Sequence, residues 1–583
     1  MSEARRLDSD LASIQEARTK VEAAYAAWQQ YRAFDQDRID IIVEAMGAAA
    51  RAQAPALAEA AAHETGYGNA RDKVAKNLLA ADLLIRSLRG LRCVGVLRED
   101  HDRRVTEIGV PMGVVAAILP TTNPTSTAIY KTVIALKAGN GIVLSPHPRA
   151  RAATCQTAAV LREAATAAGA PDGLIQCLQR VSMESTHELM RHRRTGVILS
   201  TGGSGIVKAA YSSGKPAFGV GPGNVPVLID PSADVAAAVA GVLQGKTFDY
   251  GTLCSSEQTI VAEKSLREPV LRALERQGAV LCTHEQGAAI ARLLLTPSFT
   301  VTAEFVGQPA PRIAERAGFS VPPETRVLAC EIAGIGKDHP LSAEKLSPVL
   351  SLYFVDSFDQ ALDACEAILR FGGLGHTCGI YAQDEARVKA YALRMPAFRV
   401  LANTPTPLGS TGLTTNLAPA MTLGCGAVAG NITGDNITPL HLVNIKRLAY
   451  AVRSPEEAFT MPDSTPEVTP ERVARAIDRY LSKRQSEPLA IDTLVDRVLQ
   501  TRRAAKPAAP ACAVPPPPAE PPPAPPASPA PPAAPATTDF VCEDDVRRAL
   551  LKGEKIFLSR KAIITPSARD LAAGQEVLIP PAP

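Results

Sequence analysis

The chain has 583 residues, 46% of them hydrophobic, which is enough to bury a large core and to divide into more than one domain. Its 62 basic and 59 acidic residues leave a formal charge of +3, so no whole-chain field favours a nucleic acid or an anionic membrane, and local sites must carry the function. Eleven scattered cysteines, without a CxxC pair or clustered histidines, argue against a disulfide framework and a zinc site, so no metal is expected.

The first twenty residues, MSEARRLDSDLASIQEARTK, have no apolar core followed by a small-residue cleavage site, and no long apolar run follows anywhere. A cytoplasmic protein without a membrane partner is expected. LASIQEARTKVEAAYAAWQQY and RIDIIVEAMGAAARAQAPALAEAAAHETG carry apolar residues at spacings of three and four, which predicts successive helices with Gly66 as a stop. VGVVAAILP, GIVLSPHP, TGVILSTG and VPVLID are short β-branched runs separated by helix-length segments, the alternation of a doubly wound α/β sheet. QTIVAE, GAVLC, SPVLSLYFV and CGIYAQ form a second such cycle after Cys254 and predict a second α/β domain, with Cys254 near the junction.

From Pro507 to Pro535 the chain is almost only Pro and Ala. Such a segment cannot bury a core and predicts a semi-extended tether of up to roughly 90 Å. Beyond it, Val546, Ala549 and Leu550 share one helical face, and KIFL and AIIT read as short strands. The expectation is a tail too small for a core of its own.

Four motifs stand in order within residues 12–450: LPTTNPTS, LSTGG, FDYGTLCSSEQ and EKLSPVL. Together they resemble the aldehyde dehydrogenase superfamily, and most its CoA-acylating branch. TLGCGAVAGNITGDNITPLHLVNIKR, ending at Arg447, adds to this resemblance without a chemical step assigned to it. The resemblance implies two α/β domains, one Rossmann-like for the cofactor and one catalytic, with an oligomerisation arm. The corresponding boundaries are 1–247 for the NAD-binding domain, including part of the arm near 92–108, and 248–428 for the catalytic domain. The arm and C-terminal helices take 429–503, the Pro/Ala linker 504–538 and the tail 539–583.

It further implies that Cys254 is the nucleophile. Oxidation through a covalent thiohemiacetal needs a soft nucleophile that later leaves from a thioester, and cysteine meets both needs. Gly251 lets the backbone approach the substrate closely. The oxyanion falls to the Asn123 side-chain amide and the Cys254 backbone N–H, although TTNPT alone reads only as a turn. His376, in GLGHTCGIY, has the pKa class to take a proton from a thiol. Thr121, Thr201, Gly202, Gly203 and Ser204 are placed beside the dinucleotide, the last four in a glycine turn that opens a helix. Glu344 resembles the glutamate that holds the nicotinamide ribose.

Two departures from the hydrolytic branch bear on the acyl acceptor. Where hydrolytic members carry a water-activating glutamate, this chain reads FGVGPGN, with Gly219 in the acid's place. Losing that base spares the thioester for a thiol. Ser145, His147 and Pro148 of SPHPRA replace a lysine that contacts adenosine ribose, and match the acylating branch, in which NAD and coenzyme A share space. The expected reaction joins a small aliphatic aldehyde to CoA with reduction of NAD. A hydrolytic dehydrogenase releasing free acid, and a scaffold whose tail is the working part, are the alternatives. A homo-oligomer is implied, and the linker and tail resemble extensions that direct aldehyde-processing enzymes to shell proteins of bacterial microcompartments.

Overall fold

The computed structural model describes residues 8–459, 473–475, 477–478, 538–572, 575 and 577–579, and the chain divides into two units, Met1–Met461 and Pro462–Pro583. The Pro/Ala linker and most of the helices expected before it lie outside the described residues.

The N-terminal periodicity produces helices Ser9–Tyr31, Gln36–Ala52 and Ala54–Thr65. Asp8 and Asp35 cap the first two by accepting from Asp10 and Arg38 N–H. Pro55, early in the third helix, divides it from the second. Gly66 ends it in the left-handed conformation (φ 68°), as expected of a helix-stopping glycine.

Behind these helices lies a five-stranded, all-parallel sheet in the order Ile175–Cys177, Gly141–Ser145, Val114–Ile118, Thr195–Thr201, Ala217–Val220. The three central strands are almost wholly buried, which is why they read as continuous apolar runs. Strand order reverses between Val114–Ile118 and Thr195–Thr201, and that opens a crevice at their carboxyl ends.

The second sheet has seven parallel strands, ordered Ala279–Cys282, Val327–Glu331, Val349–Val355, Glu257–Glu263, Val225–Ile229, Gly375–Tyr381, Ala397–Ala402. Its third member from the right, VPVLI, was grouped by sequence with the first cycle, inside 1–247. Pairing with Glu257–Glu263 and Gly375–Tyr381 puts it in the second sheet instead. Alternation along the chain counts strands but does not say which sheet each joins. A third, antiparallel sheet joins the hairpin Gly95–Asp100 and Val105–Pro111 to Val443–Ala449.

One further expectation is corrected. Cys155 in helix Arg151–Ala167 and Cys177 in strand Ile175–Cys177 form a disulfide with Cα atoms 5.7 Å apart. The helix packs on the strand that follows it, and no spacing rule marks such a pair. Among the described residues no group of side chains suited to a metal ion occurs, and no helix is long and apolar enough to cross a membrane.

The second unit has a small core of its own, against expectation. Strands Thr538–Val541, Ile556–Ile564 and Leu578–Ile579 run parallel, with helices Glu543–Lys552 and Pro566–Ala572. Val541, Val546, Ala549, Leu558, Ala568, Ala572 and Val577 are buried together. Val546 and Ala549 therefore face inward, whereas Leu550 is exposed, and the two short strands expected around Ile556 and Ile563 are one.

Strand Gly375–Tyr381 begins at a residue that must be glycine: φ is 76°, and an added Cβ would overlap the Cys425 carbonyl oxygen. Gly375→Ala is expected to lower the thermal midpoint of unfolding by at least about 3 °C. Differential scanning calorimetry checks this; an unchanged midpoint would mean that the Cys425 segment gives way freely.

Candidate active site

The sequence motifs lie at strand ends of the two sheets. From the five-stranded sheet they come off carboxyl ends: Thr121–Asn123 after Val114–Ile118, His147 and Pro148 after Gly141–Ser145, and Gly202–Ser204 after Thr195–Thr201. From the seven-stranded sheet they come off amino ends: Cys254 just before Glu257–Glu263, Glu344 before Val349–Val355, and His376 second in Gly375–Tyr381.

Cys254 is half-buried, and its Sγ lies 3.2 Å from His376 Nε2. The other ring nitrogen, Nδ1, is 2.9 Å from Thr377 Oγ1. The chain passes close behind the thiol: a Cβ on Gly223 would overlap the Cys254 carbonyl oxygen. Burial, then the Glu344 carboxylate, pushes the Cys254 thiol up to about 12. Burial, then the Arg399 guanidinium, pulls His376 down to about 3. At neutral pH the pair is thiol and neutral imidazole.

Asn123 stands at the N-cap of helix Pro124–Lys137, yet its side chain makes no cap bond. An asparagine there ordinarily accepts from the first turn. Instead Oδ1 accepts from Lys76 Nζ at 2.5 Å and Nδ2 donates to Thr122 Oγ1 at 2.9 Å. Lys76 belongs to helix Ala70–Leu78 and, with Lys73, ion-pairs with Asp249 in the Cys254 loop. Asp249 and Tyr250 hold left-handed backbone (φ 48° and 53°), unusual for residues with a Cβ. Sequence reading missed Lys73 and Lys76, because ARDKVAKNL has the polarity of a solvated helix, and Asp249 of FDYGTLCSSEQ, because its lysine partners lie 176 and 173 residues away.

Around the glycine turn, Gly203 begins helix Ser204–Tyr211 without a side-chain cap, and Cβ atoms on Gly203 and Gly205 would meet open space. The Ser200 and Thr201 hydroxyls are buried without partners. Free amides and unpaired hydroxyls beside an open helix start suit the phosphates of a dinucleotide. Glu344 lies on the Cys254 side, Oε1 accepting from Gly223 N–H at 3.1 Å, and burial pushes its carboxyl up to about 8. Ser145 is buried, with its hydroxyl 3.0 Å from Thr186 Oγ1. His147 is exposed and caps the short turn at Pro148 by accepting from Arg149 N–H at 3.2 Å.

Gly219 is more than a missing acid. Its N–H donates to Tyr211 Oη at 2.8 Å, and a Cβ would sit 2.6 Å from Val207 Cγ1 and 2.9 Å from Tyr211 Cε2. The Tyr211 ring fills the space a carboxylate stem would need. Arg399, also missed, is buried and donates to the carbonyls of Gly434 (2.8 Å), Gly375 (3.3 Å) and Gly424 (2.5 Å). It thereby stitches the segment around residues 424–434 to the strand that carries His376.

Comparison with known proteins agrees with this geometry. Residues 7–286 match the model of the aldehyde dehydrogenase family. The bifunctional aldehyde-alcohol dehydrogenase AdhE of Escherichia coli (strain K12) is 42% identical over 443 residues, 75% of this chain and 50% of that protein, so the chain spans about half the length of this curated relative. A crystal structure of an acetylating aldehyde dehydrogenase from Geobacillus thermoglucosidasius matches with a TM-score of 0.76 and 48% identity, covering 79% of this chain and 100% of that one. A propionaldehyde dehydrogenase of Rhodopseudomonas palustris, solved with CoA bound and its cysteine acylated, matches with a TM-score of 0.68 and 26% identity over 74% and 97% of the two chains. Identity at that level over the whole of a solved relative reflects descent as well as architecture, and the chain belongs to the aldehyde dehydrogenase family.

Proposed function

We propose that the protein is an NAD-dependent, CoA-acylating aldehyde dehydrogenase acting on small aliphatic aldehydes, and the observation that carries this is the Cys254–His376 pair, together with a glycine at position 219 crowded by Val207 and Tyr211. The relatives described as acetylating, and the one solved with CoA and an acylated cysteine, support the same reading.

Cys254 Sγ adds to the aldehyde carbon, its proton passing to His376 Nε2, and the new alkoxide takes hydrogen bonds from Asn123 Nδ2–H and the Cys254 N–H. Thr201–Ser204 would hold a dinucleotide, with Glu344 at its ribose, and that group would supply the hydride acceptor. Loss of hydride leaves a thioester on Cys254. With Tyr211 in place of a base, no residue at position 219 activates water against it. After His376 has released the first proton to solvent, its Nε2 takes the proton of the CoA thiol as that sulfur attacks the acyl carbon, and Cys254 leaves as the thiolate. The antiparallel sheet of 95–111 and 443–449, whose last strand exposes most of its residues, is the proposed oligomerisation arm.

The tail is proposed to dock the enzyme on a microcompartment shell protein. Since Val546 is occupied by the tail's own core, the surface left for a partner is Phe540 and Ile563, exposed and opposite each other on adjacent strands.

Three outcomes test these readings. With CoA withheld, the enzyme should release one equivalent of NADH per Cys254 and then nearly stop, and Cys254→Ala should abolish the burst while retaining dinucleotide binding. Sustained turnover to free acid would favour the hydrolytic alternative.

The neutral pair predicts a pH profile. Because the thiol is raised, the thiolate fraction grows as pH rises, and because His376 is lowered, no imidazolium is present to stabilise the thiolate near neutrality. Alkylation of Cys254 by iodoacetamide should therefore accelerate continuously between about pH 6 and 10. A plateau near neutral pH would reveal a thiolate–imidazolium pair.

Removal of residues 504–583 should leave acyl-CoA formation within about twofold, since that segment contains none of the catalytic motifs. The same removal, or Phe540→Glu with Ile563→Glu, should abolish co-sedimentation with shells. Shell association surviving both changes would place targeting elsewhere.

A further inference from the structure

Lys73 and Lys76, one turn apart on helix Ala70–Leu78, are each only 2% exposed. Burying two ammonium groups is costly unless every N–H finds an acceptor. Lys76 has three donors and three partners: the Asp249 carboxylate, Thr252 Oγ1 at 3.2 Å and Asn123 Oδ1 at 2.5 Å. Lys73 shares Asp249 at 2.9 Å and donates to the Thr122 carbonyl at 3.1 Å, and so reaches the backbone beside Asn123 but not its amide. The cluster is closed by Asp72, which accepts from Asp249 N–H at 2.7 Å. Burial pulls Lys76 down to about 8, with Asp249 opposing.

We propose that Lys76 is a positioning residue of the oxyanion site: its ammonium orients and polarises the Asn123 amide, and Asp249 anchors that ammonium to the loop that carries Cys254. This rests on the reading of Asn123 as an oxyanion donor. The accounting is tight. Asn123 has one acceptor and two N–H groups; Lys76 occupies the acceptor and Thr122 one N–H, which leaves one N–H for substrate. Turning the amide over would aim its NH2 at an ammonium, so the orientation is fixed by charge and not by packing alone. A cation on the amide oxygen also draws electron density from nitrogen, which makes the remaining N–H a stronger donor to a developing alkoxide. Asp249 sets the distance: its Oδ2 takes Lys76 and Thr252 Oγ1, two residues before Cys254, while Oδ1 takes the Asn69 N–H at 2.7 Å.

A double-mutant cycle on the NADH burst tests this. Lys76→Met should slow the burst about 10- to 100-fold with aldehyde KM changed less than about threefold, yet slow the Asn123→Ala enzyme by under about twofold. Lys76→Gln keeps a neutral donor to Oδ1 and should fall between, separating orientation from polarisation. Lys73→Met, equally buried but off the amide, should combine additively with Asn123→Ala. Additive costs for Lys76 as well would reduce it to a structural role and overturn the proposal. Should Lys76→Met not fold, the Lys76→Gln cycle decides by the same criterion. If Asn123→Ala alone slows the burst by less than about threefold, the oxyanion reading itself fails, an outcome visible before Lys76 is touched.

Discussion

The Asp249 carboxylate is 176 and 173 residues away in sequence from the two lysines it neutralises. No part of this corner can be assembled alone. Without the carboxylate, two ammonium groups would be buried beside each other; without the lysines, a buried anion would sit on strained backbone. Desolvation opposes the charge on Asp249, yet Lys76 and then Lys73 hold its carboxyl below the usual range. The left-handed residues Asp249 and Tyr250 persist because these bonds over-determine them. The turn they make delivers Cys254 to His376 on one side, and its side chain reaches Asn123 through Lys76 on the other.

Packing also shapes the surroundings of Gly219. Gly219 lies under the Tyr211 ring, and its amide is tied to the phenol oxygen. A glycine without such a neighbour would leave a gap that water refills. Here an aromatic ring takes the room. Around Cys254, burial displaces the Glu344 carboxyl and the thiol upward and the His376 imidazole downward, each toward neutrality, beside the guanidinium of Arg399. In the proposed reaction, fixed dipoles stabilise the charge that develops.

Much of this was legible from sequence wherever chemistry is local in the chain. Cys254, Asn123, Glu344 and His376 sit in short motifs whose order carries the resemblance, and apolar runs located the core strands of both sheets. Lys76, Tyr211 and Arg399 were not legible: a lysine in ARDKVAKNL or an arginine in AFRVLA looks like a solvated side chain until distant segments cover it. Ser145, in a telling motif, has its hydroxyl beside Thr186, a contact the motif does not announce. In the tail, helical periodicity identified Val546 and Ala549 as one apolar face but not what covers it, which is the tail's own sheet. Sheet membership of Val225–Ile229 depends on pairing partners 32 residues later and beyond, which alternation alone does not encode.

The antiparallel sheet carries a consequence in time. Glu107 of the hairpin pairs with Arg447, 340 residues further on, and Val443–Ala449 completes the sheet along the whole of Val105–Pro111. During synthesis at roughly 5–20 residues per second, the hairpin emerges from the ribosome about 20–70 s before its third strand exists. For that interval the free edge of Val105–Pro111 is open to any strand nearby, including the same hairpin on a neighbouring nascent chain. The helices before it, built from local contacts, fold without waiting. The last strand of the first unit thus closes an edge left open since early in translation, and a chain that stalls before residue 443 is the form most exposed to self-association.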